Sequence, residues 1–315
     1  MHIALITPYP PTARNGNAHT ALRWARFLRA AGHQVEVAVT WEGQAVDLMI
    51  ALHARRSYAA IAGFARAYPL RPLIVVLTGT DLYRDIQTDP DAQHALQLAT
   101  RLVVLQTRGR DELNAALQTK TRVIFQSAPT LSRGHQRTRT FDVCVVAHLR
   151  DEKDPLRAAY AAALLPSESR IRVLHIGAAL TPEMQQLAEQ CQSNPRWKWL
   201  GARPHAETRR RIASSRLLIQ SSRMEGGANT IVEAVSAGVP VLASDISGNI
   251  GMLGEDYSGY YALADSRALA ELMHRAETDP HFYAELATQC AARAPLFEPR
   301  SECAAVQNLI KEFEP

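Results

Sequence analysis

Short apolar runs alternate with helical segments along almost the whole length of this 315-residue chain. Each run is bounded by polar or turn-forming residues, and the next segment carries apolar side chains at helical spacing. Strands that are apolar on both faces and separated by helices are typical of parallel sheets, because the helices cover both faces of the sheet. The pattern therefore predicts an α/β protein with doubly wound parallel sheets.

The predicted strands fall into two groups. The first group comprises residues 2–7, 35–39, 46–52, 73–77, 102–105 and 122–125, and the second comprises 142–146, 171–176, 197–200, 217–219, 239–243 and 260–263. The principal predicted helices cover residues 20–31, 58–67, 92–99, 111–117, 155–165, 182–192, 206–213, 231–237 and 267–277. Between the groups, residues 127–140 contain a proline, a glycine and three arginines without an apolar run, as expected of a linker. The chain should therefore form an N-terminal domain over residues 1–132 and a C-terminal domain over 133–298.

Composition narrows the classes of protein that remain. The chain is 47% hydrophobic and 21% charged, which is ordinary for a globular protein. Its net charge is only +4, without a dense Lys/Arg run, so we expect neither nucleic acid nor a membrane surface as a partner. The four cysteines are far apart, and no apolar run approaches the roughly 20 residues of a membrane helix. The first strand begins at once, which leaves no room for a signal peptide, and we expect a cytoplasmic protein.

The segment 222–234 joins a predicted strand to a predicted helix and contains candidate ligand-binding groups. Gly226 and Gly227 let the main chain approach a ligand, and the amides at the helix start attract an anionic or polar one. Glu225 and Glu233 are hydrogen-bond acceptors suited to sugar hydroxyls. Two simpler interpretations stay open: Thr230 and Glu233 have capping-box spacing, and the two glycines fit a tight turn.

The Glu-x7-Glu spacing of this segment resembles the donor-site signature of the retaining GT-B glycosyltransferases of family 4. The resemblance implies that Glu225, Gly226, Gly227 and Asn229 lie near the transferred sugar and that Glu233 lies near the ribose, with Thr230 in the same site. It also implies the fold, in which two Rossmann-like domains face a cleft. The N-terminal domain would bind the acceptor, the C-terminal domain the nucleotide-sugar donor, and the last helix, residues 299–315, would return to the first domain.

Two further loops resemble the diphosphate-binding parts of that family. The loop after the first strand contains Gly16 and Asn17, although Asn17 also fits a helix cap. The loop after residue 146 contains Lys153, which matches the family's lysine, while His148 stands where an arginine is expected and Arg150 follows. Cations here would neutralise the leaving diphosphate, and the alternative for Lys153 is a solvated side chain.

The acceptor side is expected in two other loops that follow strands. One contains His53, Arg55 and Arg56, and the other contains the run from Thr78 and Gly79 to Asp81. Many family-4 members have a histidine near the position of Thr78. His53 is therefore a candidate substitute base, and the arginines are candidates to bind an anionic acceptor. The alternatives are a histidine satisfied by the backbone and a solvated helix start.

The family also suggests where the base of the nucleotide binds. In these enzymes it meets the turn that corresponds to residues 201–204, so Arg203 is a candidate there, although a plain turn is the alternative. No metal or cofactor is implied, because Asp89-Pro-Asp91 precedes a helix and fits an N-cap better than a metal site.

Four segments of the sequence resemble one group of enzymes more closely than they resemble family 4 as a whole. Residues 52–57, 76–86, 148–155 and 224–229 together resemble the selenosugar synthases (SenB) of selenoneine biosynthesis. The resemblance implies a UDP-sugar donor, either UDP-N-acetylglucosamine or UDP-glucose, and selenophosphate as the acceptor. Lys153 would stabilise the departing diphosphate and Glu225 would orient the sugar, whereas an anionic selenium nucleophile makes a base near Thr78 dispensable.

Three alternatives remain open at this stage. The first is a family-4 glycosyltransferase with a hydroxyl acceptor, and the second is a nucleotide-sugar epimerase of the same architecture. The third is a non-catalytic module that binds a UDP-sugar.

Overall fold

The computed structural model describes residues 1–10, 12–13 and 15–314. Its strands are β1 His2–Ile6, β2 Gln34–Ala38, β3 Leu48–Leu52, β4 Leu73–Leu77, β5 Arg101–Val104, β6 Thr121–Val123, β7 Phe141–Val146, β8 Ile171–Ile176, β9 Trp197–Trp199, β10 Leu217–Gln220, β11 Val241–Ser244 and β12 Tyr260–Tyr261. Its helices are α1 Gly16–Ala30, α2 Tyr58–Ala67, α3 Ile86–Thr88, α4 Pro90–Leu98, α5 Ala115–Thr119, α6 Arg157–Ala163, α7 Pro182–Cys191, α8 His205–Ser214, α9 Asn229–Ser236, α10 Ser247–Leu253, α11 Ser266–Thr278, α12 Pro280–Arg293 and α13 Pro299–Lys311. None of the helices in this described part has the length and apolar character that crossing a membrane requires.

The chain forms two compact units. Unit 1 consists of Met1–Gln126, Glu225–Gly227 and Pro299–Pro315, and unit 2 consists of Ser127–Met224 and Ala228–Glu298. The division after Gln126 precedes the expected boundary at residue 132. The short segment Glu225–Gly227, which the sequence pattern assigned to the second domain, groups with unit 1.

Each unit contains one six-stranded parallel sheet. The order is β2-β1-β3-β4-β5-β6 in unit 1 and β12-β11-β10-β7-β8-β9 in unit 2. The prediction of two doubly wound parallel sheets is therefore confirmed. The direction of winding reverses between β1 and β3 in unit 1 and between β7 and β10 in unit 2. Ligands of such sheets bind beyond the carboxyl ends of the strands at these switch points.

The central strand β3 shows how the unit 1 sheet is held from both sides. Leu48, Ile50 and Leu52 point to one hydrophobic core, which also contains residues of α1 and α13. Met49 and Ala51 point to the opposite core, which contains residues of α2 and α4. The alternation follows from the two-residue period of a strand, and burial on both faces explains why β3 is apolar throughout.

Helix α13 is fixed to α1 by a buried carboxylate. Glu302 is 1% exposed, and its Oε2 lies 2.6 Å from Nε of Arg23. Its Oε1 accepts hydrogen bonds from Nη2 of Arg23 at 2.9 Å and from Nε1 of Trp24 at 2.8 Å. Because a buried charge is costly unless it is paired, this contact holds α13 in one position on unit 1.

Several elements differ from the predictions. Helix α1 begins at Gly16 instead of residue 20, and α6 begins at Arg157 because Asp154 has the left-handed φ of 41°. Residues 107–110 form a 3₁₀ turn and α5 follows at Ala115, in place of one helix over 111–117. Helix α10 was not predicted, since its glycines disfavour a helix. Its buried Asn249 donates to the Ser244 carbonyl at 2.9 Å and so ties the helix to the end of β11.

We expect Glu302→Ala to destabilise unit 1 strongly, whereas Glu314→Ala should change stability little. Removing Glu302 leaves Arg23 and Trp24 without their acceptor, which costs about 3 kcal/mol in comparable buried pairs. Glu314 is a half-exposed partner of His33 at 3.7 Å, and such surface pairs contribute roughly 0–1 kcal/mol. Urea unfolding, together with amide hydrogen exchange of α13, measures both effects. Equal exchange of α13 in the two variants would contradict the anchoring role of Glu302.

Candidate functional site

In unit 2 the loop that follows β7 is held in place by β8. The buried His175 donates from Nε2 to the Ala147 carbonyl oxygen at 2.9 Å. At Gly177 a Cβ atom would lie 1.7 Å from the same oxygen, so only glycine permits this approach. The amide of Ala178 then donates to Nδ1 of His148 at 3.0 Å. The loop that carries His148 at the switch point of unit 2 is thus held by hydrogen bonds and by the close approach of Gly177.

The imidazole of His148 is a neutral hydrogen-bond donor in this arrangement. Because Nδ1 accepts a hydrogen bond, the ring proton lies on Nε2. Although part of the residue is exposed, the pKa of His148 is lowered first by partial desolvation of the ring and then by the positive charges of Arg150 and Lys153. His148 therefore supplies a donor in place of the charge that an arginine would supply. Arg150 itself is exposed next to it.

The turn that carries Lys153 is bound to the strand end of β10. Asp151–Lys153 forms one 3₁₀ turn, and the Ser221 hydroxyl donates to the Lys153 carbonyl oxygen at 3.0 Å. The amide of Arg223 donates to the Glu152 carbonyl oxygen at 2.9 Å. Asp154, which directly precedes the predicted helix over 155–165, pairs with Arg157 at 2.8 Å and does not cap that helix. The loops after β7 and β10 are therefore joined at the switch point, as the topology requires.

The start of α9 lacks the capping box that Thr230 and Glu233 suggest. The N-cap residue is Ala228, which makes no side-chain cap, and Thr230 is the second residue of the helix. The Thr230 hydroxyl donates to Oε1 of Gln220 at 2.7 Å. Asn229, which begins the helix, is partly buried. Neither Thr230 nor Glu233 thus caps the start of the helix, and within the described part of the chain the N-cap residue makes no side-chain hydrogen bond to the first-turn amides.

Glu233 has a partner that the sequence pattern did not reveal. Nε2 of His205, the first residue of α8, lies 2.6 Å from Oε1 of Glu233. The pKa of His205 is raised mainly by this hydrogen bond. Arg203 lies just before α8, and its Nε is 4.0 Å from Glu207. In the sequence, His205 is recognisable only as a residue that follows Pro204 near the predicted nucleotide site. Nothing in that local sequence indicates that Glu233 is its partner.

In unit 1 the segment Glu225–Gly227 packs closely against other main chain of the same unit. A Cβ atom on Gly226 would lie 2.3 Å from the carbonyl carbon of Thr78 and 2.6 Å from the amide nitrogen of Gly79. On Gly227 it would lie 2.7 Å from Cβ of Leu105. Both glycines are therefore required by packing, whatever ligand they approach. Glu225 is 7% exposed.

Asp81 organises the turn that follows β4. Its side chain is fully buried, and Oδ1 accepts from the amides of Thr78 and Gly79, both at 2.9 Å. Oδ2 accepts from the amide of Ala54 at 3.0 Å and so ties this turn to the loop after β3. These bonds show that Asp81 holds the two loops together, and its predicted contact with an acceptor stays a prediction.

Both nitrogens of His53 are engaged. The side chain is nearly buried on a residue with a left-handed φ of 73°, and its Nδ1 accepts from the amide of Arg56 at 3.3 Å. The proton therefore lies on Nε2, which is 3.1 Å from the Thr80 hydroxyl oxygen. Both ring nitrogens of His53 therefore have hydrogen-bond partners within unit 1, and its role as a substitute base stays a prediction.

The two arginines after His53 have different surroundings. Nε of Arg55 is 2.7 Å from the carboxylate of Asp89, which is therefore its direct counter-ion. The Arg56 guanidinium donates to the Tyr9 hydroxyl and lies 5.3 Å from the centre of the Tyr9 ring. Tyr9 carries no charge to neutralise it, so Arg56 keeps more of its attraction for an anion than Arg55 does.

Gly16 and Asn17 are the first two residues of α1. The cap of this helix is Asn15, whose Oδ1 accepts from the Ala18 amide at 3.0 Å, so Asn17 is not the cap. Gly16 is exposed. Pro11 and Arg14 of the same loop lie outside the described residues. Across residues 1–10, 12–13 and 15–314, no cluster of three or more histidines, cysteines and carboxylates could hold a metal ion.

Comparison with known proteins gives a consistent picture. The family "Glycosyl transferases group 1" matches residues 130–296. Glycosyltransferase 1 domain-containing protein 1 of Xenopus tropicalis is 25% identical over 302 residues, which cover 85% of this chain and 86% of that protein.

Two solved structures share the whole fold. HepE of Anabaena in complex with UDP-glucose is 18% identical, with a TM-score of 0.78, and the match covers 99% of this chain and 100% of HepE. Sucrose-phosphate synthase of Thermosynechococcus elongatus is 14% identical, with a TM-score of 0.80. The match covers 99% of this chain and 98% of that protein. These likenesses confirm the predicted GT-B fold class.

The pKa of His148 should lie below the ordinary value near 6.5 and should rise in Arg150→Gln. Removing the guanidinium removes a repulsion that disfavours the imidazolium, while burial continues to lower the pKa. The carbon-bound ring protons of His148, followed by NMR from pH 4 to about 9, report the titration. Arg170→Gln, a change at an exposed arginine on the surface of unit 2, is the matched control. An unchanged pKa in Arg150→Gln would contradict the electrostatic coupling.

Proposed function

Because the chain belongs to the glycosyl transferases of group 1, which match more than half of it, we propose that it is a selenosugar synthase. The enzyme transfers a hexose from a UDP-sugar, UDP-N-acetylglucosamine or UDP-glucose, to selenophosphate and forms a 1-seleno sugar for selenoneine biosynthesis. Four segments of the sequence that resemble the selenosugar synthases support the choice within the family.

The state of His53 is the observation that carries the proposed acceptor. A sugar or lipid hydroxyl must lose a proton as it attacks, either to a side chain of the enzyme or to the departing diphosphate. Thr78 is not a base, and both nitrogens of His53 are engaged by the Arg56 amide and the Thr80 hydroxyl. Selenophosphate is already anionic at selenium and attacks without losing a proton to the enzyme. The loops after β3 and β4 therefore favour an anionic nucleophile over a hydroxyl.

The donor is proposed from the switch point of unit 2. We assign Lys153, Arg150 and the Nε2–H group of His148, all in the loop that follows β7, to the diphosphate, since ligands of such sheets bind beyond the carboxyl ends of the strands. The uncapped first turn of α9, with Asn229 and Thr230, offers further amides for an anion or a sugar. Glu233 is assigned to the ribose, and the turn around Arg203 to the base. HepE, which shares the fold, has been crystallised with UDP-glucose, in keeping with a UDP-sugar here.

The proposed reaction is a single substitution at the anomeric carbon. The bond between C1 and the diphosphate oxygen breaks, UDP leaves with the electron pair, and a C1–Se bond forms. Lys153, Arg150, His148 and the amides near Gly16 and Asn17 stabilise the charge on UDP. Glu225 and the amides of Gly226 and Gly227 orient the sugar. As in retaining enzymes of family 4, the acceptor attacks the face from which UDP leaves.

The proposal is tested by measuring UDP release from UDP-N-acetylglucosamine and from UDP-glucose, with and without selenophosphate, followed by mass spectrometry. We expect release that depends on selenophosphate and a product with the isotope pattern of selenium. The product mass also shows whether the phosphoryl group is still attached to selenium. The variants Lys153→Ala and Glu225→Gln should each reduce the rate by about a hundredfold, because each removes an interaction with the departing or transferred group.

Other outcomes reject parts of the proposal. Selenophosphate-independent release with a free hexose or a glycoside as product would indicate hydrolysis or a hydroxyl acceptor, and an epimerised UDP-sugar would indicate an epimerase. UDP-sugar binding without turnover would favour the non-catalytic binding module.

For acceptor binding we expect Arg56→Gln to raise the KM for selenophosphate about tenfold with a smaller change in kcat, since one charged hydrogen bond is lost. Arg55→Gln should raise it less, because Arg55 already has Asp89 as its counter-ion. Initial rates at saturating UDP-sugar separate the two parameters. Arg66→Gln, on the exposed face of α2, is the control. A larger effect at Arg55 than at Arg56 would reverse this assignment.

A further inference from the structure

His205 and Glu233 form a close pair between two helices of unit 2. Nε2 of His205 is 2.6 Å from Oε1 of Glu233, and the two side chains are 54% and 12% exposed. The pair connects the first residue of α8 to the fifth residue of α9. It therefore lies between the turn at 201–204 and the start of α9, which are the two places where the uridine is proposed to bind.

The two carboxylate oxygens of Glu233 differ in their surroundings. Oε1 accepts from His205, whereas Oε2 accepts no hydrogen bond from any residue in the described part of the chain. A carboxylate has capacity for several donors on its two oxygens. With Oε1 held by an imidazole, the side chain keeps one orientation and Oε2 is left to accept from a ligand.

The pair is poorly explained as a contribution to stability. An ion pair with a half-exposed member contributes little to folding, because solvent screens the attraction and both side chains lose rotamer freedom. Arg209, one turn further along α8, lowers the pKa of His205 and so opposes the pairing, yet the net effect of Glu233 is to raise that pKa. The contact is better explained as one that fixes the orientation of the Glu233 carboxylate.

We infer that His205 is a positioning residue for the nucleotide, which fixes Glu233 so that Oε2 accepts the ribose hydroxyls of UDP. This inference rests on the proposed function, because it takes a uridine nucleotide as the ligand of this site. His205 lies outside the glutamate and glycine signature. It would act through Glu233 and would not touch the reacting atoms.

The test is calorimetric binding of two ligands to the full chain: UDP and 2′,3′-dideoxyuridine diphosphate, which lacks both ribose hydroxyls. We expect His205→Ala to weaken UDP about tenfold, the loss typical of one misoriented charged hydrogen bond. Its affinity for the dideoxy nucleotide should equal that of the unmodified protein. His205→Gln should restore most of the UDP affinity, because its amide nitrogen is placed much as Nε2 of histidine is and also donates.

Two further variants make the test specific. In the Glu233→Gln background, adding His205→Ala should cause no additional loss, because two residues that act through one contact are not additive. His281→Ala is the matched control: His281 is exposed and also follows a proline at the start of a helix, α12. Thermal unfolding of each variant checks that the protein remains folded.

Each opposing result has a defined meaning. Equal weakening of both ligands, or no weakening of UDP, would overturn the positioning role, and tighter UDP binding in His205→Ala would show that His205 competes with the ribose. If the unmodified protein bound neither UDP nor a UDP-sugar, the proposed donor would fail instead. A folded protein that binds UDP but lacks selenophosphate-dependent turnover would contradict the proposed reaction and leave the inference on His205 intact.

Discussion

The parallel direction of all strands within each sheet is the constraint on which the rest of the structure depends. It places every strand's carboxyl end at the same edge of its unit, so that polar loops from distant parts of the chain gather there. In unit 2 this edge joins the loop of Lys153 to the strand end at Ser221. In unit 1 it joins the loop of His53 to the turn after β4 through Asp81. The candidate residues are thus assembled by topology before any ligand takes part.

Much of the fold could be predicted from the sequence, because parallel strands show up as short apolar runs that alternate with helical segments. The twelve apolar runs identify the strands, since a strand covered on both faces has no polar position to spare. The glycines at 226 and 227 mark close main-chain approach, and the structure shows that approach against Thr78 and Leu105. The local pattern predicts that a small residue is needed at these positions. It does not identify the neighbouring residues that make a larger side chain impossible.

The failures share one cause, which is that a local pattern of residue types does not show which partner a side chain takes or where a helix begins. Thr230 has capping-box spacing, yet its hydroxyl donates to Gln220 because α9 begins earlier. Asp154 resembles a cap, but Arg157 takes its carboxylate while its backbone turns left-handed. Helix α10 forms despite its glycines through the buried contacts of Asn249. The pairing of His205 with Glu233 spans 28 residues of sequence, and no periodicity marks it.

The loops of unit 1 also bear on how such a site would select among nucleophiles. A base that activates a hydroxyl does so for any hydroxyl, including that of water, and thereby promotes hydrolysis of an activated donor. In this chain Thr78 provides no base and His53 is held by hydrogen bonds on both nitrogens. Under the proposed reaction, neutral oxygen nucleophiles would receive no activation from these two side chains, whereas an anion already reactive at selenium would need only to be bound and oriented. Selectivity for the anionic acceptor would then follow from the lack of a catalytic base. The Arg56 side chain would only have to attract the negative charge of that acceptor.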